Sequence, residues 1–119
     1  MPPLPDIGLE TQTFERLLIQ NQRSPGFLKK LFTLYITDGT QLQNKFQQAH
    51  EAGDQEAMRL HAHTLKSASL NVGLTRISNL ARALEQNCID GKETTPPFLA
   101  LQQQWQVAIP KITAYLDTL

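Results

Sequence analysis

Two histidines separated by one residue, His61 and His63, stand in the stretch MRLHAHTLKSASLNVG (58–73), with Arg59 before them and Lys66 and Ser67 after. Such a group is open to metal ligation by paired imidazoles, to nucleophilic or acid–base work by one of them, or to plain packing. The choice turns on which sides of which element the side chains occupy. Met58, Ala62, Leu65, Ser69 and Val72 recur at helical spacing and fall on one line, which marks the buried face of a helix. His61 flanks that line and reads as a half-buried structural histidine. His63, about 200° away, points elsewhere. Imidazoles at i and i+2 on a helix do not converge on one ion, because helical ligand pairs use i, i+3 or i+4. No metal site is expected, and His50, at a helix end, adds none.

The side chains that share a face with His63 are Arg59, Lys66, Ser67 and Leu70, at i−4, i+3, i+4 and i+7. Two cations beside an exposed imidazole suit an anion carried on the ring. A small residue one turn on lets a partner approach closely, and Leu70 offers that partner an apolar contact. An ordinary polar helix face with an incidental histidine is the competing reading, and the residue types alone leave both open.

The positioning elements are all helical. Thr11 can cap a first helix over about 11–21, with Phe14, Leu17 and Leu18 on one side. Ser24-Pro25 reads as a cap followed by proline at the first helical position. The long helix that follows carries Leu28, Leu31, Tyr35, Leu42, Phe46 and Ala49 as its stripe, with a bend or break expected at Asp38-Gly39. Gly53-Asp54 is a stop and a new cap, opening the helix of the two histidines at about 55–71. Gly73 marks a tight turn, after which Leu74, Ile77, Leu80, Leu84 and Cys88 form a stripe ending near Asp90-Gly91. Thr95-Pro96-Pro97 opens the last helix, with Phe98, Leu101, Trp105, Ala108, Ile112 and Leu116 at bundle spacing and a kink expected at Pro110. No strand pattern competes. Short connections between long amphipathic helices predict an all-α fold, an antiparallel up-down-up-down four-helix bundle with a short additional N-terminal helix. Residues 1–10, rich in proline, read as a flexible lead-in to a single domain over 11–119.

Composition narrows the partners. Across 119 residues, 11 basic side chains balance 11 acidic ones, so no basic field is available to hold nucleic acid or a membrane surface. One cysteine, Cys88, allows no internal disulfide and fits a reducing compartment. No apolar run approaches the ~20 residues of a membrane span, and MPPLPDIG lacks the pattern of a signal peptide. A cytoplasmic location is expected.

The run from His63 through Lys66, Ser67 and Gly73 resembles the signature of histidine-containing phosphotransfer domains, His-x-x-Lys-Gly followed by small residues and a glycine. Ala62, Gly53-Asp54, the Phe27–Phe32 segment, Leu80 and Leu84-Glu85 sit where that family places similar residues, so the likeness spans about residues 11–118. Ser67 departs from it, standing where glycine is usual, and it adds only a hydroxymethyl group beside His63. The resemblance implies a phosphoryl carrier with no ATP-dependent kinase activity of its own, acting alone or as a domain of a hybrid sensor histidine kinase. It implies His63 as phosphoacceptor through its distal ring nitrogen and Lys66 as a stabiliser of the phosphoryl group. Arg59, Ser67 and Leu70 are then expected in partner docking. The partners implied are response-regulator receiver domains that relay phosphate between aspartates. The chain is expected to act as a monomer without a cofactor, magnesium being supplied by the receiver.

Three other functions can be set against this. A histidine-kinase dimerisation helix usually has an acidic residue after its histidine and a proline soon after, where Thr64 and Leu65 stand here. A non-phosphorylated helical adaptor would bind receiver or kinase domains with His63 incidental. A hydrolase would need an orienting acid beside His63 and Ser67, and no carboxylate is expected on that face.

Overall fold

A computed structural model describes residues 3–119 of the chain; Met1 and Pro2, part of the expected lead-in, lie outside the described residues. Five helices follow one another: α1 (Thr11–Arg23), α2 (Phe27–Ala52), α3 (Gln55–Asn71), α4 (Thr75–Ile89) and α5 (Thr95–Leu116). No strand is present among the described residues, only an isolated bridge between Leu9 and Leu74. Helix α2 packs on α3, α3 on α4, α4 on α5 and α5 back on α2, which closes a ring of four, and α1 lies against α2. The molecule measures 45 × 22 × 20 Å. Its long axis is close to the length of α2 alone, about 39 Å at 1.5 Å per residue.

The expected stripes form the core. Phe14, Leu28, Phe46, Leu65, Ile77, Leu84, Phe98, Leu101 and Ile112 are all within 2 % of complete burial. Each such side chain contributes about 1.5–3 kcal/mol of transfer free energy. Polar order inside is confined to a few groups. The Tyr35 hydroxyl of α2 and the Ser69 hydroxyl of α3 share a hydrogen bond of 2.7 Å in the interior, and burial pushes the Tyr35 phenol above its usual range.

Three local expectations are corrected. Glu10, not Thr11, caps α1, its carboxylate accepting from the amides of Gln12 and Thr13. Ser24-Pro25 does not open α2. Ser24 ends α1, and its carbonyl accepts from the Phe27 amide at 3.0 Å. Pro25 and Gly26 occupy the centre of this turn, with Gly26 at φ 89°, the type II pattern of proline followed by a left-handed glycine. The next amide of α2 finds its partner in a side chain of α1, Asn21 Oδ1 accepting from Leu28 N at 3.0 Å.

Gly39 does not break α2, which runs continuously from Phe27 to Ala52. Its hydrogen side chain is a notch for Trp105 of α5, whose indole would overlap any Cβ placed there. Gly39→Ala is therefore expected to lower stability by about 1–3 kcal/mol through overpacking, more than the ~1 kcal/mol of helix propensity that alanine returns. Urea unfolding followed by the emission of Trp105, the sole tryptophan, checks this; an unchanged or raised midpoint would contradict the notch. Likewise α5 continues through Pro110, which is exposed, so the carbonyl it leaves unbonded can be met by water.

The proline-rich start is held to the bundle at its end. Ile7 is completely buried, and Leu4 and Leu9 pack on the core. The Glu10 amide donates to Gly73 O at 2.7 Å and the Arg76 amide to Gly8 O at 3.1 Å. Proline content described the segment poorly because one isoleucine anchors it across the α3–α4 turn.

Candidate functional site

Helix α3 is fixed at both ends by the signals its sequence carries. Gly53 closes α2 at φ 65° and Asp54 Oδ1 accepts from Ala57 N at 3.1 Å. Gly73, at φ 80°, makes the turn into α4. Between them Met58, Ala62, Leu65 and Ser69 are buried, so the helix can present only one face to solvent. Leu60, His63, Thr64, Ser67 and Leu70 lie on that face, within an arc of about 120°, and all five are exposed.

The two histidines part as their spacing requires. The His61 ring packs edge-on to Phe46, 6.0 Å between centroids, and burial, aided by Lys45, pulls its pKa below the usual value against Asp54. The His63 side chain is 58 % exposed, and its Nδ1 lies 2.7 Å from Glu85 Oε2. The other oxygen of the same carboxylate accepts from Lys66 Nζ at 2.6 Å. Glu85 comes from α4, its side chain only 10 % exposed. The Lys66 hydrogen bond, with help from His63, holds its carboxyl below the usual range although burial opposes this. A further bond from Ser78 Oγ to the Lys66 carbonyl, 2.9 Å, ties the two helices together at this level.

An ionised carboxylate only accepts, so the proton of neutral His63 is placed on Nδ1 and the lone pair on Nε2. Glu85 was not singled out from the residue pattern, and the expectation that the site lacks a carboxylate is corrected by it. The acid comes from the neighbouring helix rather than from α3. A signal existed: Glu85 stands on the edge of the apolar stripe of α4, four residues after Ala81 and seven after Ser78, where a charge needs a partner.

The flanking cations differ from the expectation too. Lys66 is bound to Glu85, and Arg59 is turned to Glu56, with Nε donating to Oε2 at 3.0 Å and a second nitrogen on Oε1. Neither is a free charge beside the ring. Ser67 and Leu70 are on the histidine face as expected, and Leu60, 50 % exposed against 57 % for Leu70, was missed. The two leucines bracket His63 about 15 Å apart along the helix. Among the described residues no group of three or more His, Cys, Asp or Glu side chains is arranged to hold a metal ion, and no helix is long and apolar enough to cross a membrane.

An all-helical domain whose exposed histidine is held from behind by a buried carboxylate is the class that fold and site define. The particular family follows from comparison with known proteins. The family model described as Hpt domain matches residues 30–119, so the chain belongs to the Hpt domain family, the histidine phosphotransfer domains of phosphorelays. Histidine-containing phosphotransfer protein 4 of Arabidopsis thaliana is 27 % identical over 85 residues, covering 70 % of this chain and 67 % of that protein. The crystal structure of histidine-containing phosphotransfer protein B from Pseudomonas aeruginosa matches with a TM-score of 0.83, over 97 % of this chain and 99 % of that one, at 18 % identity. At that identity the likeness concerns the fold, and it includes α1, which the family model leaves out.

Proposed function

We propose that this chain carries a phosphoryl group on Nε2 of His63 and exchanges it with aspartates of response-regulator receiver domains. The observation that carries the reading is the 2.7 Å contact between His63 Nδ1 and the buried Glu85 carboxylate, because it supports Nδ1 as the protonated nitrogen and Nε2 as the nucleophile. The helices are taken as an up-down-up-down bundle with α1 added, a reading supported by the closed ring of packed helices and their short connections.

The lone pair of Nε2 attacks the phosphorus of a receiver's aspartyl phosphate in line. The Nε2–P bond forms as the P–O bond to the aspartate breaks, and that electron pair leaves on the carboxylate. Nδ1 keeps its proton throughout. The imidazole takes on positive charge as its lone pair is spent, and Glu85 meets that charge at no cost in reorganisation. The transition state is loose, with charge spread over the equatorial oxygens. Lys66 uses one donor on Glu85 and has two more with which to orient the bound phosphoryl group in line. The magnesium and a further cation belong to the receiver and arrive with it. Reversing every step returns phosphate to an aspartate, so the domain serves either direction of a relay and needs no nucleotide.

Leu60 and Leu70, with Ser67 between them, form the docking surface in this reading, and the chain works as a monomer in the cytoplasm. Receivers of separate response regulators or of a hybrid sensor kinase are the partners. Mixing the domain with a phosphorylated receiver tests the function at once: label moves to a phosphocarrier and stays on the receiver with a passive adaptor. Ser67→Tyr is expected to slow transfer about tenfold or more, equivalent to ~1.4 kcal/mol of lost docking, with the thermal midpoint unmoved because position 67 is exposed. Stopped-flow transfer rates together with a melting curve decide it, and an unchanged rate would show that close approach there is unimportant.

A further inference from the structure

Upstream of His63, on the same side of α3, Arg59 is held by Glu56 through two contacts from its guanidinium. The pair is exposed, its side chains 32 % and 68 % accessible, and exposed ion pairs are weak. Arg59 stands four residues before His63, the spacing at which helical side chains meet. It also lies near the histidine's partner. Beyond the dominant hydrogen bond and charge of Glu56, the charge of Glu85 helps hold the Arg59 guanidinium protonated.

We propose that Glu56 and Arg59 form a latch that sets the lifetime of the phosphohistidine, a role that rests on His63 being the phosphoacceptor. In the resting chain Glu56 occupies the guanidinium. A phosphoryl group on Nε2 brings nearly two negative charges and three strong acceptor oxygens, and it competes for Arg59 against a carboxylate with one. Arg59 then divides its time between the two anions, and Glu56 sets the share.

The chemical effect follows from how the group is lost. In hydrolysis a water oxygen bonds to phosphorus as the P–Nε2 bond breaks, and the bonding pair returns to the ring nitrogen. The transition state is loose, so electron density moves from the peripheral oxygens toward phosphorus and nitrogen as the bond stretches. A cation on those oxygens holds that density back and keeps the phosphoryl group on the ring. Glu56 draws the cation away and so shortens the carrier's memory of the signal.

The test uses the full chain loaded with phosphoramidate, a small-molecule phosphodonor that requires no receiver. After the donor is removed, 31P NMR follows phosphohistidine decay. Glu56→Gln is expected to lengthen the half-life by about two- to fivefold, the range an exposed ion pair can supply. Arg59→Gln is expected to shorten it, and in the Arg59→Gln background Glu56→Gln is expected to change nothing, which isolates the coupling. A half-life unaltered or shortened in Glu56→Gln overturns the latch, as does a lengthening that persists without Arg59, since repulsion by Glu56 alone would then explain it. Loading that survives in His63→Gln would instead overturn the phosphoacceptor assignment, so the two failures are distinguishable.

Discussion

His63→Gln takes no phosphate from a phosphorylated receiver, at any time or concentration, while its circular dichroism and melting curve match those of the parent. The side chain is 58 % exposed and carries none of the core, and the glutamine amide can still donate to Glu85, so the substitution costs chemistry and not structure. The other histidines offer no substitute. His61 is packed against Phe46, and the His50 ring lies on Phe98 with 4.8 Å between centroids. Neither shares the outward face of α3. Transfer of labelled phosphate followed by gel and by acid lability measures the effect, and acid-labile label remaining on the variant would refute the assignment.

Glu85→Ala is expected to reduce the transfer rate about ten- to a hundredfold, the kinetic equivalent of a charge-assisted hydrogen bond of ~1.5–3 kcal/mol. The loss has two sources. The ring proton is no longer fixed on Nδ1, so part of the population presents a protonated Nε2, and the charge developing on the ring has no counter-ion. Glu85→Gln keeps an acceptor but not the charge and is expected to fall between. The same group leaves a mark on stability. Its folded pKa is depressed, so its contribution is present above the ordinary carboxylate value of about 4.3 and is lost as pH falls through the folded pKa. The stability difference between parent and Glu85→Gln is thus largest near neutrality and shrinks as pH falls below about 4. Urea midpoints from pH 3 to 7 measure it, and a difference constant over that range would show that Lys66 and His63 do not favour the ionised form.

What could be read in advance was whatever the chain writes locally. The limits of α3 follow from Gly53, Asp54 and Gly73, each acting within a few residues of itself, and the separation of His61 from His63 needs only the helical repeat. Groups that answer to distant parts of the chain were misjudged. Gly39 looks like a weak point in α2 until Trp105, 66 positions later, is set against it. Glu85 lies 22 residues from His63 in sequence and 2.7 Å from it in space. Ser24 failed differently: its signal was local but belonged to a turn, because Gly26 completes a pattern that Ser24-Pro25 only begins. Ile7 was hidden by the prolines around it.

The hydroxyl pair of Tyr35 and Ser69 has a consequence for aim. A helix turns about 100° per residue, so slipping α3 by one position would swing His63 away from the outward direction by more than a quarter turn. The same slip would strand two hydroxyls in an apolar interior, each costing about 1–3 kcal/mol, whereas the apolar residues around them tolerate small rotations. The bond works like the key of a shaft, indexing α3 about its own axis. The direction in which the imidazole points at an arriving partner is set from inside the protein, by two side chains that never meet that partner.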